Sequence, residues 1–258
     1  MKHSLVILLI FVLYGCANFS SKFNSVSEKT YEENHSNHWI SLPKQDSLVV
    51  YGVSGRMTKP ELEIESAKQD AAQKISMYYG VSAVSYNAQS IGSGFLDHSI
   101  MTQSTFSFDN ALDKYAEKLK FDPEKDVYIM EGVVFVRFTY PEIFPGELNY
   151  SFALEKGHNH PAWVSQPPQK IGDFKAGVGY VNRQERKKDT IIKSAEAAVV
   201  SIVSRQSTAV VSDVKTMNDW QVSNTFYTKS EGRLTNFLIL EIWIDPDTCG
   251  VYTLAVAR

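Results

Sequence analysis

Cysteine is scarce: Cys16 and Cys249 are the only two in 258 residues, too few for a disulfide framework. Neither sign of charge dominates. The 26 basic residues face 29 acidic ones, a formal net charge of −3. Loss of Lys2 with a cleaved leader would make this about −4. A nucleic-acid binder would ordinarily be basic, so that class is set aside. The apolar run at residues 5–13 falls well short of the roughly 20 residues that a membrane-crossing helix requires. Long low-complexity tracts are missing too, which argues against wholesale disorder. No serine stands in a Gly-x-Ser-x-Gly elbow, Ser90, Ser93, Ser104 and Ser107 included. Gly92-Ser93-Gly94 lacks the rest of a phosphate-binding pattern and reads as a turn. What is present is an apolar content of 43%, enough for one large packed core or two ordinary ones.

The start of the chain has a recognisable order: basic Lys2 and His3, the apolar run, then Leu13-Tyr14-Gly15-Cys16. Those four residues resemble the lipobox of bacterial lipoproteins, in which a small residue precedes the cysteine that is cut and lipidated. Tyr14 departs from the small or aliphatic residue usual at its place. The plainer alternative is an ordinary signal peptide or a poor anchor helix. The resemblance implies cleavage after residue 15 and covalent lipid, palmitate included, on Cys16. At about 0.8 kcal/mol per buried methylene, two or more acyl chains hold a protein stably at a membrane. Ala17 and Asn18, rather than Asp, follow Cys16, which in Gram-negative sorting implies the outer membrane. Residues 16–37 are rich in Ser, Asn, Glu and Lys, without apolar period, and read as a flexible tether.

Beyond the tether one unit occurs twice. Trp39-Ile40-Ser41-Leu42-Pro43 returns as Trp163-Val164-Ser165-Gln166-Pro167, and Gly52-Val53-Ser54-Gly55 as Gly177-Val178-Gly179. Helical stripes follow, through Ile64, Ala67, Ala71 and Ile75, then Ile191, Ala195, Ala198 and Ile202. Late apolar stretches, 127–140 and 237–244, read as central strands that end near Pro141 and Pro246. Tyr150-Ser151-Phe152-Ala153 matches the closing Tyr252-Thr253-Leu254-Ala255. Thr58 and Glu61 are spaced as a capping box, and residues 109–120 predict an extra helix in the first copy. The fold class expected is α+β: two tandem related modules, 38–156 and 157–258, each a long helix on a small, mainly antiparallel sheet. A period of this length fits tandem domains rather than a solenoid.

The tryptophan entry, glycine strand, alanine-rich helix and closing strand behind a lipobox resemble the LPP-twenty family of bacterial surface lipoproteins, the Helicobacter 20-kilodalton type. The resemblance spans most of the mature chain and implies a helix-on-sheet fold and an outer-membrane location. For some members it also implies a part in flagellar or envelope assembly. The family motif carries no catalytic residue. Duplication of the unit is this chain's departure from the typical member.

Candidate sites are few. His35 and His38, or His158 and His160, could ligate zinc, but a site needs three or four converging ligands, so no metal is assigned. Glu61 and Glu65 share a helix face without an evident acid/base partner. Arg183, Arg186, Lys187 and Lys188 form a basic cluster at the start of the second helix, where the dipole disfavours cations. Contact with an anionic surface would repay that cost; a solvated helix face, with Glu185 and Asp189 mixed in, is the plainer reading. The polar stretch 82–110 reads as an exposed strand pair or long loop, or as an edge that adds to a partner's sheet. Trp39 and Trp163 read as packing residues rather than ligand platforms, and Cys249 as a partly buried thiol. The functional expectation is a non-enzymatic binding or scaffolding lipoprotein with no cofactor beyond the lipid on Cys16. Its partners would be the membrane and an envelope protein or a second copy of itself. A lipid-anchored hydrolase of cell-wall or surface polymer is the alternative of another class. It would need acid and base groups converging where the modules meet.

Overall fold

The computed structural model describes residues 38–258 apart from 45, 93–98, 131, 147, 149, 151–159, 207 and 218–220. Leu13, Tyr14, Gly15 and Cys16, the tether, His35, His158 and the repeat tract 151–153 therefore lie outside the described residues. The class is α+β, with antiparallel sheets carrying two long helices.

The first strands set the pattern. After β1 (His38–Ile40) comes β2 (Leu48–Gly55), apolar on both faces and buried along nearly its whole length. Helix α1 (Pro60–Tyr79) lies against it. The approach is close because Gly52 has no side chain: a Cβ there would stand 1.9 Å from the carbonyl oxygen of Ala67. On α1, the buried Lys74 Nζ donates to the backbone oxygen of Tyr51 (2.6 Å) and to Asp70 Oδ2 (2.7 Å). The same Asp70 oxygen accepts from the Val53 amide at 2.8 Å. β2 is an edge strand of its sheet, and these two side chains serve backbone groups on it.

The expected capping box does not form. Lys59 takes the cap position without a side-chain cap, and Pro60 at the first turn has no N–H to satisfy. Glu63 takes over instead: its Oε1 accepts from the Met57 amide (2.6 Å) and from Arg56 Nε (2.9 Å).

Strands β3 (Val81–Gly92) and β4 (Ser99–Ser107) make a hairpin of the Ser/Thr-rich stretch. The helix expected over 109–120 is reduced to α2 (Asp113–Ala116), because Asp109 folds back to accept from the Ala111 amide and holds the entry as a turn. Residues 127–140 are not one strand. They divide into β5 (Val127–Met130) and β6 (Val133–Tyr140), with Gly132 at φ 83° in the turn between.

Past Trp163, on the short α3 (Ala162–Ser165), come β7 (Lys170–Ile171), β8 (Phe174–Val181) and α4 (Lys187–Ser204). Gly179 lies under α4 as Gly52 lies under α1, with a Cβ position 2.0 Å from the Ser194 carbonyl oxygen. The chain ends with β9 (Thr208–Met217), β10 (Gln221–Leu234), β11 (Leu238–Ile244) and β12 (Val251–Ala257).

Among the described residues three sheets result, ordered β2-β6-β5, β1-β11-β12-β8-β7 and β4-β3-β10-β9. By place in its sheet, Val133–Tyr140 beside β2 corresponds to Val251–Ala257 beside β8, not to residues 237–244. Among the described residues, two strand pairings cross between the early and late parts of the chain. β1 pairs with β11, and β3 pairs with β10 through twelve positions, Val81↔Leu234 to Gly92↔Ser223. Both apolar clusters mix residues from the two parts. One joins Val136 and Phe138 to Leu254 and Val256; the other joins Val53 and Phe135 to Ile191 and Ile239.

Candidate functional site

Three turns meet at an open cleft of about 710 Å³. The β2–α1 turn brings Gly55, Arg56 and Met57, and the β5–β6 turn brings Gly132 and Val133. The β8–α4 turn and first helical turn bring residues 183–189. The walls are tied together by backbone and side-chain bonds. The Arg56 amide donates to the Gly132 carbonyl (3.2 Å), and Lys188 Nζ on α4 reaches Ser66 Oγ on α1 (3.2 Å). Within the basic wall, buried Thr190 accepts from the Gln184 amide at 3.0 Å and donates to the Arg186 carbonyl at 3.3 Å, fixing the turn against its helix.

All four of Arg183, Arg186, Lys187 and Lys188 line this cleft, and Arg56 faces them from the other part of the chain. The lining holds five basic side chains and two acidic ones, Glu185 and Asp189, and Arg56 is also paired with Glu63 behind it. Helix α4 starts in the same wall with Arg186 as an uncapped N-cap, so its positive end adds to the field of the cations. Met57 is a large apolar side chain in the lining and stays 42% exposed. Cations, a helix start and an exposed thioether together suit an amphiphile with an anionic head.

No family model, curated protein or solved structure matches the chain.

Arg56 and Met57 escape a reading of the linear sequence, because the basic cluster lies about 130 positions away from them. The signal that finds Arg56 is its place between strand and helix: it follows β2 much as Arg183 follows β8. The cleft lining, among the described residues, holds no histidine, serine or cysteine. No cluster of three or more His, Cys, Asp or Glu able to hold a metal occurs among them either.

The remaining singled-out residues go elsewhere. Trp39 stacks on Phe135, centroids 4.0 Å apart, and is buried. Trp163 is buried too, and its Nε1 donates to Glu241 Oε2 at 2.7 Å. Tyr150 also donates to this fully buried carboxylate. Burial, then the bond to Glu241, pushes the Tyr150 hydroxyl well above its ordinary pKa. The backbone of His38 pairs with Trp243, and the His160 ring meets the edge of the Trp243 ring at 5.9 Å. Cys249, a free thiol of intermediate exposure, sits at φ 56° in the β11–β12 turn.

Proposed function

We propose that the chain is a lipid-anchored outer-membrane lipoprotein of the LPP-twenty type, built from two related α+β modules. It acts as a non-enzymatic binding or scaffolding protein of the cell envelope, and flagellar or envelope assembly is the process the resemblance implies. The module reading is supported by the repeated order of strand, helix, hairpin and two closing strands, with β2-β6-β5 matched by β8-β12-β11. It is supported as well by the paired glycines beneath the two helices.

The observation that carries the binding role is the basic cleft at the module junction. Arg183, Arg186, Lys187 and Lys188 are not dispersed around a solvated helix; they share one concavity with Arg56 of the other module. In this reading the cleft takes the phosphate of an anionic lipid head group, while acyl chains on Cys16 hold the protein at the bilayer.

Vesicle flotation tests both parts. Protein with Cys16→Ser should lose palmitate labelling and stable membrane residence, yet still float with phosphatidylglycerol vesicles at low salt. Adding Arg56→Ser and Arg183→Ser should weaken that flotation about thirtyfold, since each cation near an anionic surface contributes about 1 kcal/mol. Undiminished palmitate labelling of the Cys16→Ser protein would overturn the anchor. Equal flotation with neutral vesicles, or no loss in the arginine variant, would overturn the cleft.

A further inference from the structure

The sheet β4-β3-β10-β9 has a repeating logic of its own. It is made of two hairpins, each contributed by the segment that follows a long helix. In each hairpin the first strand, β3 or β9, leaves the helix, and the second, β4 or β10, returns. Read across the sheet, the order is second, first, second, first. The central joint therefore pairs the first strand of one hairpin with the second strand of the other, antiparallel and over twelve positions.

The two outer strands are one of each kind. β9 is a first strand and β4 a second strand, and among the described residues each is paired on one side only. Each presents an unpaired row of backbone donors and acceptors nine or ten residues long. Two such rows match. Because all neighbours in the sheet are antiparallel, β4 of a second copy laid beside β9 has the direction that the ladder requires.

Edge defences are sparse. Neither strand contains proline, β4 has no charged residue, and β9 has only Asp213 and Lys215. Their parity is also shared: by register, Asp213, Lys215, Lys229, Glu231 and Arg233 occupy one alternation class, and the other class carries no charge. An added strand would meet no charge conflict on that second face.

We infer that copies of this chain join head to tail, β4 of one against β9 of the next, repeating between molecules the joint that β3 and β10 make within one. The inference rests on the two-module reading, which makes the β3–β10 joint a junction between equivalent hairpins. A heterologous contact of this kind closes into a ring when the rotation per copy allows. Closure turns the four-stranded sheets into a continuous barrel and removes the open edges of that sheet.

The test is cross-linking of the full-length protein in detergent, in a Cys249→Ser background. One preparation carries Gln103→Cys in β4, another Val211→Cys in β9, and a short bismaleimide is added to each and to their mixture. Cross-links should form in the mixture, with native mass spectrometry of the uncross-linked protein ending at one closed size. Val210→Pro and Val211→Pro, made separately, supply the second arm. Successive amides point to opposite neighbours, so one of the two prolines removes a donor from the open edge and spares the β10 ladder. That variant should be a monomer with an unchanged circular dichroism spectrum.

A monomeric wild type, cross-links only between identical strands, or assembly in both proline variants would overturn the inference. Should both prolines unfold the protein, the cross-links decide. Ala88→Cys with Tyr227→Cys, partners in the β3–β10 register, reports separately on the underlying reading. An intramolecular cross-link there without β4–β9 links sinks the assembly alone; its failure sinks the reading as well.

Discussion

Gly52 and Gly179 bring helix backbone to within contact distance of strand backbone, at places where any side chain would collide with a carbonyl. Relief would require α1 or α4 to lift from its sheet, since the obstacle is main chain and not the end of a flexible side chain. Gly52→Ala should therefore destabilise the protein by about 3 kcal/mol, at the upper end of overpacking costs. Gly55→Ala, three residues along the same strand in open space, should change stability by less than about 0.5 kcal/mol. Urea unfolding of the two variants makes the comparison. Close approach at these glycines was readable in advance, because alanine-rich helices and glycine-interrupted strands imply it together. The fully buried Glu241 was not. Nothing in Leu-Glu-Ile-Trp distinguishes an inward carboxylate from an outward one until Trp163 and Tyr150, 78 and 91 positions away, are seen to hold it.

At the level of elements, α4 opens with a cost. Arg186 occupies the N-cap with extended backbone (φ −111°, ψ 123°) but offers no acceptor to the first-turn amides. Arg186→Asp supplies that acceptor in the same backbone conformation. It should raise stability by about 1 kcal/mol while reducing flotation with anionic vesicles. The opposite signs distinguish a residue kept for binding from one kept for folding, and thermal melting beside flotation reads both. Helix periodicity placed α1 and α4 well, because each buries its apolar stripe mainly against the strand before it, β2 or β8. Local chemistry misled where a competing partner existed. Glu63 displaced the Thr58–Glu61 box, Asp109 shortened the extra helix, and apolar residues on either side of Gly132 concealed the turn between them.

For the molecule as a whole, the α+β class was legible and the interleaving of early and late strands was not. Periodicity reports which residues are buried, but it does not say against which copy. The exchange of β1 onto β11 and the β3–β10 joint come from pairings more than 100 residues apart. Residues 38–156 and 157–258, expressed separately, should each expose core surface and fail to unfold cooperatively. Mixed together, they should regain one sharp transition in urea, with the amides of β3 and β10 protected from hydrogen exchange only in the mixture. Two independent, sharp transitions from the separate fragments would show the halves to be self-sufficient. The placement of β1 also decides how the fold answers to force. A pull arriving at residue 38 is not borne first by the strands that follow it in sequence. It passes into the three-residue ladder with β11 and the Ser41–Leu240 bond, and so directly into the late part of the chain. The weakest link under tension is thus a short clasp between distant segments, and its release would shed load before either helix is disturbed.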